Sequence, residues 1–286
     1  MKRILLATDF STRSDRALRR AVLLAGTHRA ALTLVHVVDD DQPIDLVRHQ
    51  TEAARALLGQ TAHSIGEVEG VPAEIVVTSG DPFAGILAIA DEVETDLIVI
   101  GPHRRQFLDT FIGTTAERTI RRGSRPVLMT NSVPSGVYQR SLLAVDFDEA
   151  SMGAMRQAEE LGVLAETEIL ALHLFDAAAL GMMKRAMEAG DAIETYVKEE
   201  ERRARIELTS RLIGSGLEGA RQILAPGQGS LAAMIRSTAD EMRADLIVMG
   251  TNQRRGIHRF LLGSVAQEVL LDASQDVLVV PLDRSE

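Results

Sequence analysis

Asp9 and Asp146 each stand at the end of a short apolar run, Ile4-Leu5-Leu6-Ala7-Thr8 in one case and Leu142-Leu143-Ala144-Val145 in the other. Gly101 and Gly250 follow two further runs, Leu97-Ile98-Val99-Ile100 and Leu246-Ile247-Val248-Met249. Beyond each glycine comes a loop of 11 or 12 residues, and then Gly113-Thr114 or Gly263-Ser264 at the start of a helical pattern. A helix N-terminus carries unpaired N–H groups and partial positive charge, so it suits a phosphate without a basic patch. Glycine there allows close backbone approach, and a hydroxyl can cap the helix or donate to an oxygen. Spacing alone supports an anion or nucleotide site at these positions; a capped helix after a turn is the plain structural alternative.

Other chemistry finds less support. His36 and His173 are flanked by apolar strand residues with no nucleophile beside them, which reads as a pair of hydrogen-bonded core histidines. Gly-x-x-x-x-Gly-Lys-Ser/Thr, His-Glu-x-x-His and Gly-x-Ser-x-Gly are all missing, so the dedicated NTPase, zincin and hydrolase readings lose their motifs. With no cysteine in the chain, thiolate metal sites, disulfides and cysteine nucleophiles are excluded together. No catalytic residue and no protein metal site is assigned.

The elements that must carry these residues are written twice. Arg3–Phe10 matches Arg140–Phe147 at an offset of 137, and Leu34–Val38 matches Ala171–Phe175 at the same offset. Asp96–Gly101 then matches Asp245–Gly250 at 149, and Gly113-Thr114 matches Gly263-Ser264 at 150, so the second half is longer between its second and fourth strands. That length fits a longer helix over about 177–213. Apolar runs alternate with helical patterns, the mark of βαβ units around a parallel sheet. Strands are expected near 3–8, 31–38, 73–78, 96–101 and 126–130, and near 140–146, 168–175, 220–225, 245–250 and 276–281. The runs before Gly101 and Gly250 lack period-2 alternation, as strands covered on both faces do. Ala17, Leu18, Ala21, Val22, Leu24 and Ala25 form one helical stripe, with Ser11 or Ser14 as its N-cap. Glu199/Arg203 and Glu201/Arg205 read as exposed i,i+4 pairs, and Met182, Met183 and Met187 as adaptable packing.

Bulk properties narrow the function further. At about 150 residues per domain, 286 residues fill two domains. The 31 Lys+Arg against 41 Asp+Glu give a net charge of −10, which makes nucleic acid a poor partner. The N-terminal apolar run is too short for a signal peptide and no stretch reaches 18 apolar residues, so no membrane association is expected and the chain reads as cytoplasmic.

Taken together, the aspartate after strand one, Leu34-Val35-His36-Val37 with its counterpart Leu172-His173-Leu174, and strand four followed by a glycine loop and Gly-Ser/Thr resemble the universal stress protein family, here as a tandem pair covering nearly the whole chain. The resemblance implies an α/β fold of two Rossmann-like five-stranded parallel-sheet domains, of the adenine nucleotide alpha hydrolase type, over 1–134 and 138–286. The final strands, Val127–Met129 and Val277–Val280, would pair as an internal pseudo-dimer and cover an open sheet edge; a further homodimer is a separate expectation. One branch of the family binds ATP, with Mg²⁺ on the phosphates, and another does not. In the binding branch the adenosine lies by the first aspartate and the residue after the strand-two histidine. Here those are Asp9, with Thr8 beside it, and Val37, and in the second half Asp146 and Leu174. The family's phosphates lie on the strand-four loop and the Gly-Ser/Thr step: Gly101, His103, Arg104, Gly113, Thr114 and Thr115, and Gly250, Asn252, Gly263, Ser264 and Val265.

Two departures stand out. The loop's second glycine is replaced by Arg104 and by Gln253, and the first loop is one residue short. A Cβ at a left-handed position costs about 1–2 kcal/mol, whereas Arg104 and Arg105 could contact phosphate directly. Asp146-Phe147-Asp148 has the paired carboxylates of haloacid-dehalogenase-type phosphatases, but Asp148 aligns with Ser11, so the repeat argues against a nucleophile. The expected function is a nucleotide-responsive stress regulator that acts through an unidentified protein partner. It is not expected to be an enzyme, and slow ATP hydrolysis would be incidental. The alternative is an interaction module whose pockets are closed by Arg104 and Gln253.

Overall fold

The computed structural model describes residues 1–102, 114–176, 183, 190–251 and 262–281. In chain order the first half runs β1 (Arg3–Ala7), α1 (Thr12–His28), β2 (Ala31–Val38), α2 (Ile44–Glu69), β3 (Ala73–Ser79), α3 (Pro82–Glu92), β4 (Leu97–Ile100), α4 (Thr115–Arg122) and β5 (Val127–Met129). The second runs β6 (Arg140–Ala144), α5 (Glu149–Glu160), β7 (Glu168–Phe175), α6 (Gly190–Ile213), β8 (Arg221–Pro226), α7 (Leu231–Glu241), β9 (Leu246–Gly250), α8 (Ser264–Asp272) and β10 (Asp276–Val280). Every strand expected from the sequence is present within two residues at either end. The long second-half helix is described from Gly190 onward; most of 177–189, including Met182 and Met187, lies outside the described residues.

The ten strands make one sheet in the order β3-β2-β1-β4-β5-β10-β9-β6-β7-β8. Each half is a parallel, Rossmann-like five-stranded unit. The halves meet through β5 and β10, which pair antiparallel with Leu128 opposite Leu278. Strand order reverses between β1 and β4, and again between β6 and β9. In open α/β sheets such reversals leave crevices at the carboxyl ends of the strands.

Alternation of side chains across the pleat divides the core into two layers. Ile4 and Leu6 face α1 and α2, whereas Leu5 faces α3 and α4; Leu246 and Val248 repeat this against Ile247 and Met249. The uninterrupted apolar runs of β4 and β9 follow from this cover on both faces, with Leu97, Ile98, Val99, Leu246, Ile247 and Val248 fully buried. Each such side chain contributes about 1.5–3 kcal/mol on burial.

The aspartates that precede β4 and β9 serve the backbone. Asp96 accepts from the amides of Lys2 (2.5 Å) and Arg3 (2.9 Å), and Asp245 accepts from those of Gln139 (2.8 Å) and Arg140 (3.0 Å). Each carboxylate thus pins the start of the adjacent first strand. Ser11 caps α1 by accepting from Ser14 N. The stripe of α1 includes one residue the apolar pattern passes over: Arg20 is 3% exposed among the alanines and leucines. Glu199/Arg203 and Glu201/Arg205 do form exposed ion pairs on α6. Among the described residues no helix is long and apolar enough to cross a membrane.

Candidate functional site

The β6/β9 reversal opens a cleft of about 320 Å³, within the ordinary size range of small-molecule sites. Five chain segments line it. The end of β6 and the turn after it supply Val145, Asp146, Asp148 and Ser151; the end of β7 supplies Leu172, His173 and Leu174. The end of β9 contributes Met249, Gly250 and Thr251, α7 contributes Leu231 and Ile235, and the start of α8 contributes Gly263 to Ala266. Of the second-half residues picked out in the sequence, Asp146, Leu174, Gly250, Gly263, Ser264 and Val265 therefore converge on one cleft. Asn252 lies outside the described residues, as do His103, Arg104 and Gly113 of the first half, and Gln253.

Local chemistry fixes the turn that carries Asp146. Its Oδ1 accepts from Phe147 N (2.8 Å), its own amide donates to Ser151 Oγ (2.8 Å), and Asp148 caps α5 by accepting from Ser151 N (2.7 Å). Asp148 is thus the N-cap of α5. His173 Nδ1 donates to the Val145 carbonyl (2.9 Å), and its ring stacks on Phe147 at 3.8 Å. His36 repeats the arrangement on the Thr8 carbonyl (2.8 Å), with Phe10 at 4.5 Å. Both histidines tie the second strand of a half to the end of its first, in line with the core-histidine reading.

The two halves differ at the helix that faces the strand-four loop. Thr114 is the N-cap of α4, its Oγ1 accepting from Glu117 N at 3.1 Å. In the second half the helix begins one residue earlier in the aligned frame. Gly263, which has no side chain to cap with, is the N-cap with extended backbone (φ −62°, ψ 153°), and Ser264 is the first residue of the helix. The serine hydroxyl, expected to cap the helix or to donate to an oxygen, is therefore not at the cap position, and Gly263 to Ala266 at the start of α8 line the cleft.

The strand-one loop of the first half is more heavily tied. Thr8 Oγ1 donates to Ser14 Oγ (3.0 Å) and accepts from Phe10 N (3.1 Å), while Asp9 accepts from Ser11 N (3.0 Å) and lies 3.6 Å from the Arg13 guanidinium. Burial pushes the Asp9 carboxyl up, but the hydrogen bonds from Ser11 and Ser14 and the charge of Arg13 outweigh it and hold the group below its usual range. Val37 is buried against Gly85, where an added Cβ would lie 2.9 Å from its methyls. Gly101 packs on the first turn of α1, and Thr115 begins α4 at the surface.

Sequence reasoning missed Thr251, Ser151, Leu231 and Ile235. The last two are four residues apart on one helix and so share a face, a signal that was available. Among the described residues no group of three or more histidine, aspartate or glutamate side chains is placed to hold a metal ion.

Comparison with known proteins gives a consistent result. The model of the universal stress protein family matches residues 1–131 and again 138–281. A universal stress protein of Mycolicibacterium smegmatis is 25% identical over 97% of this chain and 96% of its own length. One of Methanocaldococcus jannaschii is 29% identical over 52% of this chain and 86% of its own. The crystal structure of a universal stress protein from Archaeoglobus fulgidus superposes with a TM-score of 0.70 at 21% identity, covering 97% of both chains. A functionally unknown Pseudomonas aeruginosa protein also gives 0.70, at 22% identity over 99% of this chain and 93% of that one. These two likenesses show the fold.

Proposed function

This chain belongs to the universal stress protein family, and we propose that it is a stress-response regulator whose second-half cleft binds an adenine nucleotide without dedicated catalysis. The observation that carries this reading is the convergence of Asp146, Leu174, Gly250 and the glycine-capped start of α8 on one crevice at the strand-order reversal. The chemistry of the lining fits the parts of a nucleotide. Leu172, Leu174, Leu231 and Ile235 offer an apolar wall for a purine, Asp146 is an acceptor for ribose hydroxyls, and the amides of α8 suit phosphate oxygens. Mg²⁺ would ride on those oxygens, since it is bound mainly by substrate phosphates and water and needs few protein ligands.

No described residue of the cleft is arranged as a nucleophile with an adjacent base. Asp148 and Ser151 are engaged in capping and His173 in holding Val145, so hydrolysis would be incidental. Binding would instead change the affinity for a protein partner through the loop 251–262. The tied loop of the first half and the capped start of α4 favour a scaffold role there, which is the interaction-module reading confined to one half. Titration calorimetry with ATP tests the proposal. Saturable binding below millimolar concentration with one site per chain is expected; no heat at millimolar ATP, with equilibrium dialysis agreeing, would reject it.

A further inference from the structure

α2 packs on β3 and β2 at one end of the sheet, where β3 is the edge strand. Among the described residues, every large apolar side chain exposed on a first-half helix belongs to α2. Three of them, Leu46 (45% exposed), Leu57 (48%) and Val68 (79%), recur every 11 residues, which is about three turns, so they share one face of the helix. At about 100° per residue that face stands roughly 80° round the axis from the buried stripe of Ala54, Leu58 and Ile65. Its exposed positions Leu46, Ala53, Leu57, Gln60, Ser64 and Val68 carry no charge, whereas Arg48, Glu52 and Arg55 fall on the far side. Apolar anchors with charge excluded are the composition of an interface centre. α6, which takes the same place over β8 and β7 at the other end of the sheet, is laced instead with the ion pairs Glu199/Arg203, Glu201/Arg205 and Glu207/Arg211. That is the surface of a helix kept in water.

The spacing also identifies what covers the face. Leu46 and Val68 lie equally far on either side of Leu57, so a two-fold rotation at Leu57 lays that residue on its own copy and Leu46 on Val68 of a second chain. The face is complementary to itself. We infer that α2 is a homodimer surface on which a second copy of this chain docks through its own α2, antiparallel, with Leu57 at the two-fold axis. Two 26-residue helices in contact along a strip about 39 Å long and about 10 Å wide bury roughly 800 Å² together. That is below the about 1,200 Å² of a standard interface, so the dimer is weak and forms as concentration rises. It is distinct from the pairing of β5 with β10, which lies within the chain at the centre of the sheet. It does not depend on nucleotide.

Sedimentation equilibrium of the nucleotide-free protein, run from about 5 µM to about 500 µM, tests this. Wild type should pass from monomer to dimer with a Kd on the order of 100 µM. Leu57→Glu and Leu57→Lys should each weaken association at least about tenfold, because each substituted residue meets its own like charge across the axis. An equimolar mixture of the two should recover dimer to within about threefold of wild type, since residue 57 then faces the opposite charge. Leu57→Cys gives a second readout that no charge enters: the chain has no cysteine of its own, so oxidation should yield a disulfide-linked dimer, whereas Ile206→Cys on the exposed side of α6 should stay monomeric. Wild type that remains monomeric throughout overturns the inference. So does a charged variant that associates like wild type, a mixture that fails to dimerise where wild type does, or equal cross-linking at 206.

Discussion

Arg20 of α1 and Asp276 of β10 form an ion pair at 2.9 Å, with side chains 4% and 0% exposed, although 256 residues separate them. Asp276 also accepts from Tyr138 Oη (2.7 Å) on the same oxygen, and from Asn131 N, Ser132 N and Ser132 Oγ on the other. Arg20 in turn donates to the Gly136 carbonyl (2.7 Å) and lies 4.0 Å over the Tyr138 ring. The connection between the halves is thereby fastened to a helix of one half and a strand of the other. The β5–β10 pairing itself spans only three residue pairs.

Removing one member of this buried network leaves an uncompensated charge. Arg20→Met is therefore expected to lower unfolding stability by about 3–5 kcal/mol, measured by urea denaturation. A loss below about 1 kcal/mol would show that the network does not hold the halves together.

Tyr138 gives the network a dependence on alkaline pH. Burial, and next the charge of Asp276, push its phenol well above the ordinary 10.0. The folded state thus keeps a proton that the unfolded chain releases, so the contribution is complete below pH 10 and falls as pH rises toward the folded value. Tyr138→Phe should flatten the loss of melting temperature above pH 10, and at neutral pH should cost about 1.5–3 kcal/mol for the lost bond to a carboxylate. An unchanged alkaline slope would contradict the assignment.

Ser264→Pro tests the amides of α8 without removing the helix. Proline is well tolerated at the first helical position, and the extended Gly263 before it already has the backbone that a following proline requires. Far-ultraviolet circular dichroism should be unchanged, while ATP affinity drops by about fivefold to tenfold through loss of one phosphate donor. Unaltered affinity would place the phosphates elsewhere.

Gly101→Ala probes the close contact behind the first-half loop. Its methyl would lie 3.1 Å from the carbonyl carbon and oxygen of Arg13 and 3.2 Å from Ser14 Cα, all backbone atoms of the first turn of α1. Forcing that turn aside should cost about 1–3 kcal/mol, read as a lowered melting temperature. No loss would mean that α1 shifts freely.

The fold was legible because its strongest signals are local and occur twice. The runs before Gly101 and Gly250 lack alternation for the same reason, cover on both faces, and the repeated aspartates mark the same turn in each half. Six of the seven second-half residues picked out in the sequence line one cleft, and they were picked out because the landmarks recur at nearly constant offset. Arg20 was illegible because a lone cation in an apolar stripe gives no hint of a partner 256 residues away. Thr251 was hidden by the repeat itself, since Pro102 at the matching place removes the likeness that drew attention to its neighbours. The one-residue shift of the α8 start escaped because Gly-Thr and Gly-Ser look equivalent until the caps, Thr114 and Gly263, are seen.

The most direct measurement is a crystal structure of the protein grown with a saturating non-hydrolysable ATP analogue. The account predicts one nucleotide per chain, its purine beside Leu174 and Ile235 and its phosphates at the first turn of α8. A second-half cleft empty of nucleotide at saturation, or a nucleotide bound only in the first half, would contradict it.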